Sequence, residues 1–217
     1  MESYHMQKNK DGNPVIKDCL KTMFSDYYFT TEAQSAFANL YENKNGLQDA
    51  FLGFWESVSS HFKDNPYVIG YDIINEPMVA NVFKHITNIW PGNVDHRYLQ
   101  PLYQNAHKAI RKHDQEKIIF FEPTQGDNIP VFGGIMFETG FTESPGGQGF
   151  HDREVLNDHT YCCQMSGSEC RETGEPQMKD KEKCKSFNSR KIERSVKDAK
   201  KLGVGFILSE FGACSNS

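Results

Sequence analysis

The chain has 217 residues, 37% hydrophobic and 12% aromatic, which is material for one ordinary domain and too aromatic for a disordered segment. Twenty-nine Asp and Glu against 24 Lys and Arg leave a net charge of −5 with both signs interspersed, which excludes the basic stripe of a nucleic-acid surface. No apolar run reaches the roughly 18 residues of a membrane span, and MESYHMQKNKDGNP at the start lacks the apolar stretch of a secretion leader.

Residues 1–30 read as an irregular N-terminal segment. Thr31–Glu42 predicts a helix, with Thr31 and Gln34 as a capping box and Ala33, Phe37, Leu40 and Tyr41 on one face. After Asn45-Gly46, Leu47, Phe51, Phe54, Trp55, Val58 and Phe62 recur at helical spacing and predict a long amphipathic helix. YVIGYDIINEP at 67–77 is too short and too β-branched for another helix and reads as a buried strand, halted at Asn75, Glu76 and Pro77. Tyr98–His113 predicts a helix with Pro101 in its first turn and Leu102, Ala106, Ala109 and Ile110 inward.

KIIFFEP at 117–123 repeats the earlier form, an apolar strand ending in Glu-Pro. Thr124–Gly149 is rich in Gly and Pro and reads as a loop too long for an idle connection. VLNDHTYCC at 155–163 is a further strand. Four of the six cysteines crowd into 162–184 without a C-x-x-C pair, so disulfides tying down a Cys-rich loop over 162–186 are favoured over zinc. The mixed charges of Lys179–Lys185 fit a solvated part of that loop. Ser189–Leu202 predicts a basic helix with Ile192, Val196 and Ala199 inward, stopped by Gly203, and VGFILSEFGA at 204–213 is a last strand carrying Glu210 near its end.

Helices alternating with continuously apolar strands describe parallel α/β units, and no Gly-rich phosphate loop opens any of them. In a β/α barrel, reactive side chains sit where strands end, and Glu76, Glu122, His159, Tyr161 and Glu210 all fall at such ends. Two carboxylates from different strands can flank a glycosidic bond, one as acid and one as nucleophile, about 5–5.5 Å apart when configuration is retained. His159 and Tyr161, two apart on a strand, face the same way and can reach Glu210. A single strand-end glutamate is ordinary turn chemistry, as are Asn and Pro beside it; two of them with a His-x-Tyr strand between favour catalysis. Glu122 reads either as a substrate contact or as a brace for the rim, and Asp72, within the first strand, as a buried residue behind the site.

GYDIINEP, IIFFEP, DHTY and ILSEFG resemble strands four to seven of glycoside hydrolase family 5, with the greatest likeness to its endoglycoceramidase-related group. ANLYENKNGLQDAFLGFWESVSSHF is similar to the helix preceding that group's catalytic strand. The resemblance implies an incomplete (β/α)8 TIM barrel over residues 1–217, lacking strands one to three and eight, as in a fragment of a longer secreted or lysosomal protein. It makes Glu76 the general acid/base and Glu210 the nucleophile. Asn75 would bind the sugar 2-hydroxyl, Tyr161 would hold Glu210, and His159 would sit beside the cleaved bond, with Glu122 among the substrate contacts. No cofactor or metal is implied, and the partner is a carbohydrate or glycolipid, with cleavage expected between glycan and ceramide. MVANVFKHITNIWPG, 78–92, reads either as an apolar lip for a lipid aglycone, giving peripheral lipid contact, or as a packed loop. Two rivals remain open: a non-catalytic glycan- or glycolipid-binding homologue, and a cellulase-like β-glucanase.

Overall fold

The computed structural model describes residues 7–19, 21, 27–28, 30–82, 84–125, 137–161 and 177–212. After a short helical turn at Ile16–Cys19 come helices α1 (Thr31–Tyr41) and α2 (Leu47–Phe62), strand β1 (Gly70–Asp72), helix α3 (Gln100–Arg111), strands β2 (Ile118–Phe121) and β3 (Glu154–Tyr161), helix α4 (Lys181–Leu202) and strand β4 (Gly205–Gly212). The strands form one sheet in the order β1-β2-β3-β4, every neighbouring pair parallel. Strictly sequential parallel order is the winding of a barrel wall, since a doubly wound sheet reverses direction partway across. The described sheet is thus four consecutive strands of a (β/α)8 barrel.

The core lies between the outer face of the sheet and the helices. Tyr71, Ile73, Ile119, Phe121 and Leu156 from the strands meet Leu102, Tyr103, Ala106 and Ile110 of α3, all buried. Phe121 packs edge-on against Tyr103 and Phe141, with ring centres 6.0 and 5.5 Å apart. Aromatic edges carry positive charge and faces negative, so these T-shaped contacts add to the burial.

Several sequence expectations shift by a residue or a face. Thr30, not Thr31, caps α1, its hydroxyl accepting the Ala33 N–H at 3.2 Å, and Gln34 instead accepts the Val82 N–H at 3.0 Å. The apolar run at 67–74 contributes only three strand residues, and Tyr67 and Ile69 stand exposed before the first pair at Gly70↔Ile118. Helix α4 begins at Lys181 after a 3-10 turn at Met178–Asp180, so 178–186 is helical rather than loop. Cys162, Cys163, Cys170 and Cys214 lie outside the described residues, as do residues 126–136 of the 124–149 stretch, while Cys184 is buried on α4.

The inward face of α4 is apolar at its ends, with Cys184, Phe187 and Leu202 buried, but polar in its middle, and of the expected Ile192, Val196 and Ala199 stripe only Ala199 is buried. Lys191, Arg194, Ser195 and Asp198 are buried with Ala199, and Ile192 and Val196 are half-buried. The cause is Asp158, which β3 points outward into the helix layer with no exposure. It accepts from Lys191 Nζ at 2.9 Å, Arg194 at 2.9 Å and Ser195 Oγ at 2.5 Å. Burial alone would raise the Asp158 pKa, but the two cations and the hydroxyl outweigh it and hold it below the usual carboxylate value. A second buried carboxylate, Asp95, accepts the Thr124 N–H at 2.8 Å and the Gly140 N–H at 3.0 Å, joining the two ends of the stretch after β2.

Candidate active site

Alternate residues of a strand face opposite sides of the sheet. On β3, Leu156, Asp158 and Thr160 point to the helices, which leaves Asn157, His159 and Tyr161 on the inner face of the barrel wall. On β4, Phe206 packs against the core, so strict alternation would send Glu210 to the helix side with it. The register prevents this. Asp158 pairs with Leu208, but His159 pairs with Glu210, so Ser209 is an extra residue on β4. Such a bulge re-aims the side chains beyond it. Ser209 and Glu210 therefore both reach β3's inner side chains: Ser209 Oγ lies 3.0 Å from His159 Nε2, and Tyr161 donates its hydroxyl to Glu210 Oε2 at 2.5 Å.

Glu76 arrives from the other edge. It sits just past β1 with φ of 44°, a left-handed backbone that only two other non-glycine residues, Asn43 and Asn45, share among the described residues. Its Oε1 lies 2.8 Å from His159 Nδ1, and Glu210 Oε2 lies 3.6 Å from the same nitrogen. One carboxylate oxygen of Glu76, one of Glu210 and a ring nitrogen of His159 all fall within 4.8 Å of one another. Among the described residues this is the group whose donors are close enough to share a divalent ion, though the His159 ring nitrogens already engage Glu76 and Ser209.

The electrostatics derive from crowding negative charge around one imidazole. Burial lowers the basicity of His159, but its hydrogen bond to Glu76 and the charges of Glu122 and Glu210 prevail, and its pKa ends above the usual value. Burial, the hydrogen bond to Glu210 and the nearby carboxylates push the Tyr161 phenol up, so it stays a donor. Tyr28, a residue the sequence pattern does not single out, joins this group. Burial together with the charges of Glu76 and Glu210 raises its pKa too, which puts the Tyr28 phenol within electrostatic range of both carboxylates. Nothing in the spacing around Tyr28 marks it, because it belongs to no periodic element.

The structure brings together Glu76, His159, Tyr161 and Glu210. Asn75 is exposed at the tip of the turn. Glu122 is different: it has no exposure, and its carboxylate lies beneath the turn, where Oε2 accepts the Glu76 N–H at 2.9 Å. Its other oxygen meets Asn157 and His159 on the inner face, at 3.3 and 3.5 Å. Burial pushes its pKa to about 8, with His159 and the Glu76 N–H opposing the shift and the Asp72 and Glu76 charges adding to it. Asp72 is exposed on the inner face and accepts from Asn157 Nδ2 at 2.8 Å.

Residues 25–217 match the family described as Cellulase (glycosyl hydrolase family 5). An endoglycoceramidase of Hydra vulgaris is 47% identical over 70% of the chain, and one of Cyanea nozakii 42% identical over 69%. The chain spans 28% of the length of each of these relatives. Among solved structures, endo-glycoceramidase II from Rhodococcus sp. in complex with ganglioside GM3 superimposes with a TM-score of 0.63 at 21% identity, covering 86% of this chain and 38% of that one. The lactosyl-enzyme intermediate of the same Rhodococcus protein gives 0.59 at 20% identity, with 86% and 38% covered. At that identity the likeness is one of fold.

Proposed function

The chain belongs to glycosyl hydrolase family 5, the cellulase family, and on that premise we propose that it carries the catalytic pair of a retaining β-glycosidase acting on glycosphingolipids. The observation behind the proposal is the approach of Glu76 and Glu210 to within 4.8 Å around His159. Inverting enzymes hold their carboxyl groups about 6.5–9.5 Å apart to admit water, whereas retaining enzymes hold them at about 5–5.5 Å.

Glu210 is the nucleophile and forms an ester with the anomeric carbon while Glu76 gives its proton to the departing oxygen. Water then attacks the ester, the Glu76 carboxylate takes the water's proton, and Glu210 is released. Tyr161, donating to Glu210, aims the nucleophile. His159 holds Glu76 from one side. Asn75 at the exposed tip hydrogen-bonds the sugar 2-hydroxyl, a contact that strengthens in the transition state.

The glycan–ceramide linkage as the bond cleaved is supported by the two endoglycoceramidase relatives and by the surface of the segment after Glu76. Met78, Val79 and Ala80 are buried and fit the packed-loop reading. Ile86, Ile89 and Trp90 stand 68%, 42% and 62% exposed beside exposed Lys84, and these form the lip for the lipid part. A secretory, lysosomal or extracellular setting, with disulfides in the Cys-rich loop, accords with the four clustered cysteines; mass spectrometry before and after reduction tests the disulfides.

The deciding experiment replaces Glu210 by Gln in the natural protein that contains this chain. Loss of turnover of both a glycosphingolipid and an activated aryl β-glucoside is expected; undiminished turnover refutes the assignment. A protein that binds glycolipid without releasing glycan is the non-catalytic homologue, and preference for a soluble glucan identifies the β-glucanase.

A further inference from the structure

The turn that carries Glu76 is held in a conformation its residue type disfavours. A left-handed φ brings the Cβ of an L-residue against its own backbone, and such positions persist only where the surroundings impose them. Asn43 and Asn45 tolerate it through short polar side chains; Glu76, with φ of 44°, has no such help. The group that holds it is Glu122. That carboxylate, fully buried, takes the Glu76 N–H on Oε2 at 2.9 Å. Its other oxygen is 3.3 Å from Asn157 Nδ2 and 3.5 Å from His159 Nε2. The Glu122 carbonyl accepts the Tyr103 hydroxyl at 2.8 Å, which ties its backbone to α3. Three residues later, Gln125 N–H donates to the Pro77 carbonyl at 2.9 Å. The end of β2 thus grips the turn on both sides of the Glu76 side chain.

We propose that Glu122 is a positioning residue for proton transfer: its carboxyl group fixes the left-handed backbone of Glu76 and, from the other oxygen, flanks the imidazole that receives the Glu76 carboxyl group. It has no exposed surface, and it acts through Glu76 and His159. This rests on the reading of Glu76 as the acid/base. A carboxylic acid that swings out of line cannot protonate the departing oxygen, and that failure hurts substrates in proportion to how much their leaving group needs the proton. A loss of general stability would not discriminate between leaving groups.

The test compares kcat/KM, which reports the glycosyl-transfer step, for an alkyl β-glycoside and a dinitrophenyl β-glycoside in the natural protein containing this chain. In Glu122→Ala the alkyl substrate is expected to lose about 100-fold and the dinitrophenyl substrate no more than about 5-fold. Glu122→Gln, which keeps a carbonyl to accept the Glu76 N–H, recovers at least about tenfold of the alkyl loss. Should the Ala variant not fold, Glu122→Asp, one methylene short of the turn, carries the same comparison. Equal losses on both substrates, or no loss on either, overturn the proposal. Glu76→Gln run in parallel separates the two readings. If it shows no leaving-group dependence, the acid/base assignment of Glu76 fails; if it does and the Glu122 variants do not, only the positioning role of Glu122 fails.

Discussion

Glu154, at the start of β3 and far from the site, offers a test of how burial controls this protein's pH response. It is buried, with Oε1 accepting the Gly146 N–H at 2.6 Å and lying 3.3 Å from His107 Nδ1. Burial pushes its pKa from 4.5 to about 7, against the pull of Ser144, the Gly146 N–H and Arg111. His107 gives it no positive charge, because burial and the neighbouring Arg111 and Lys108 push that imidazole down to about 4. Between pH 4.5 and 7 folded Glu154 therefore keeps a proton that it has released in the unfolded chain, so its contribution to stability falls as pH rises through this window and levels off above it. His107, held down at about 4, contributes in the opposite sense between about 4 and 6.5, and the comparison of a Glu154 variant with its parent isolates the Glu154 part. At about 1.4 kcal/mol per pH unit, the gap between 4.5 and about 7 amounts to about 3 kcal/mol. Glu154→Gln cannot ionise, and its carbonyl still accepts the Gly146 N–H. The variant should match the parent near pH 4.5 and exceed it by about 3 kcal/mol near pH 8, measured by urea unfolding at both. In a thermal melt near pH 8 the gain corresponds to roughly 6–12 °C. An offset that stays constant across pH, or a variant weaker than the parent near pH 8, would refute the reasoning.

The other expectations concern the site and the helix layer. Tyr161→Phe removes a 2.5 Å hydrogen bond to Glu210; bonds to charged groups are worth about 1.5–3 kcal/mol, so kcat should fall roughly 10- to 100-fold with KM little changed. Trp90→Ser should raise KM for a glycosphingolipid while leaving a soluble aryl glucoside unaffected, and equal effects on both would remove Trp90 from the lipid lip. Asp158→Ala strands Lys191 and Arg194 as buried cations and should cost about 3–5 kcal/mol in urea unfolding. Gly140→Ala sets a methyl group 1.7 Å from the Gly92 carbonyl oxygen and 2.5 Å from its carbonyl carbon; a drop in folded yield and in Tm is the expected readout.

Much of the site is legible in the sequence because strand ends announce themselves. An apolar run stopping at Asn75-Glu76-Pro77, and another reaching Glu210, mark where a barrel presents chemistry, and two-residue alternation puts His159 and Tyr161 together. Alternation also misleads. Counted from Phe206, it assigns Glu210 to the helix side, and only the extra residue Ser209 turns it to the inner face; no residue type in LSEFG encodes a bulge. Helix α4 escapes its pattern for a related reason, since its apolar residues are read by period while its buried face is chosen by Asp158 on a distant strand. Glu122 shows a carboxylate at a strand end, but whether it meets substrate or supports its neighbour depends on the backbone turn at Glu76, a tertiary property. Tyr28 leaves no trace in the pattern because it lies in an irregular segment.

Asp95 has a consequence for how such a barrel can change over generations. By accepting Thr124 N–H and Gly140 N–H on its two oxygens, it makes the start and finish of the intervening stretch meet at one side chain. Chain spliced between those two anchors need not satisfy the barrel, only close on itself, and doubling its length costs only about 0.6 kcal/mol of closure entropy. The carboxylate therefore works as a socket: whatever chain evolution or an engineer places between the two anchors, their ends stay fixed at one buried side chain.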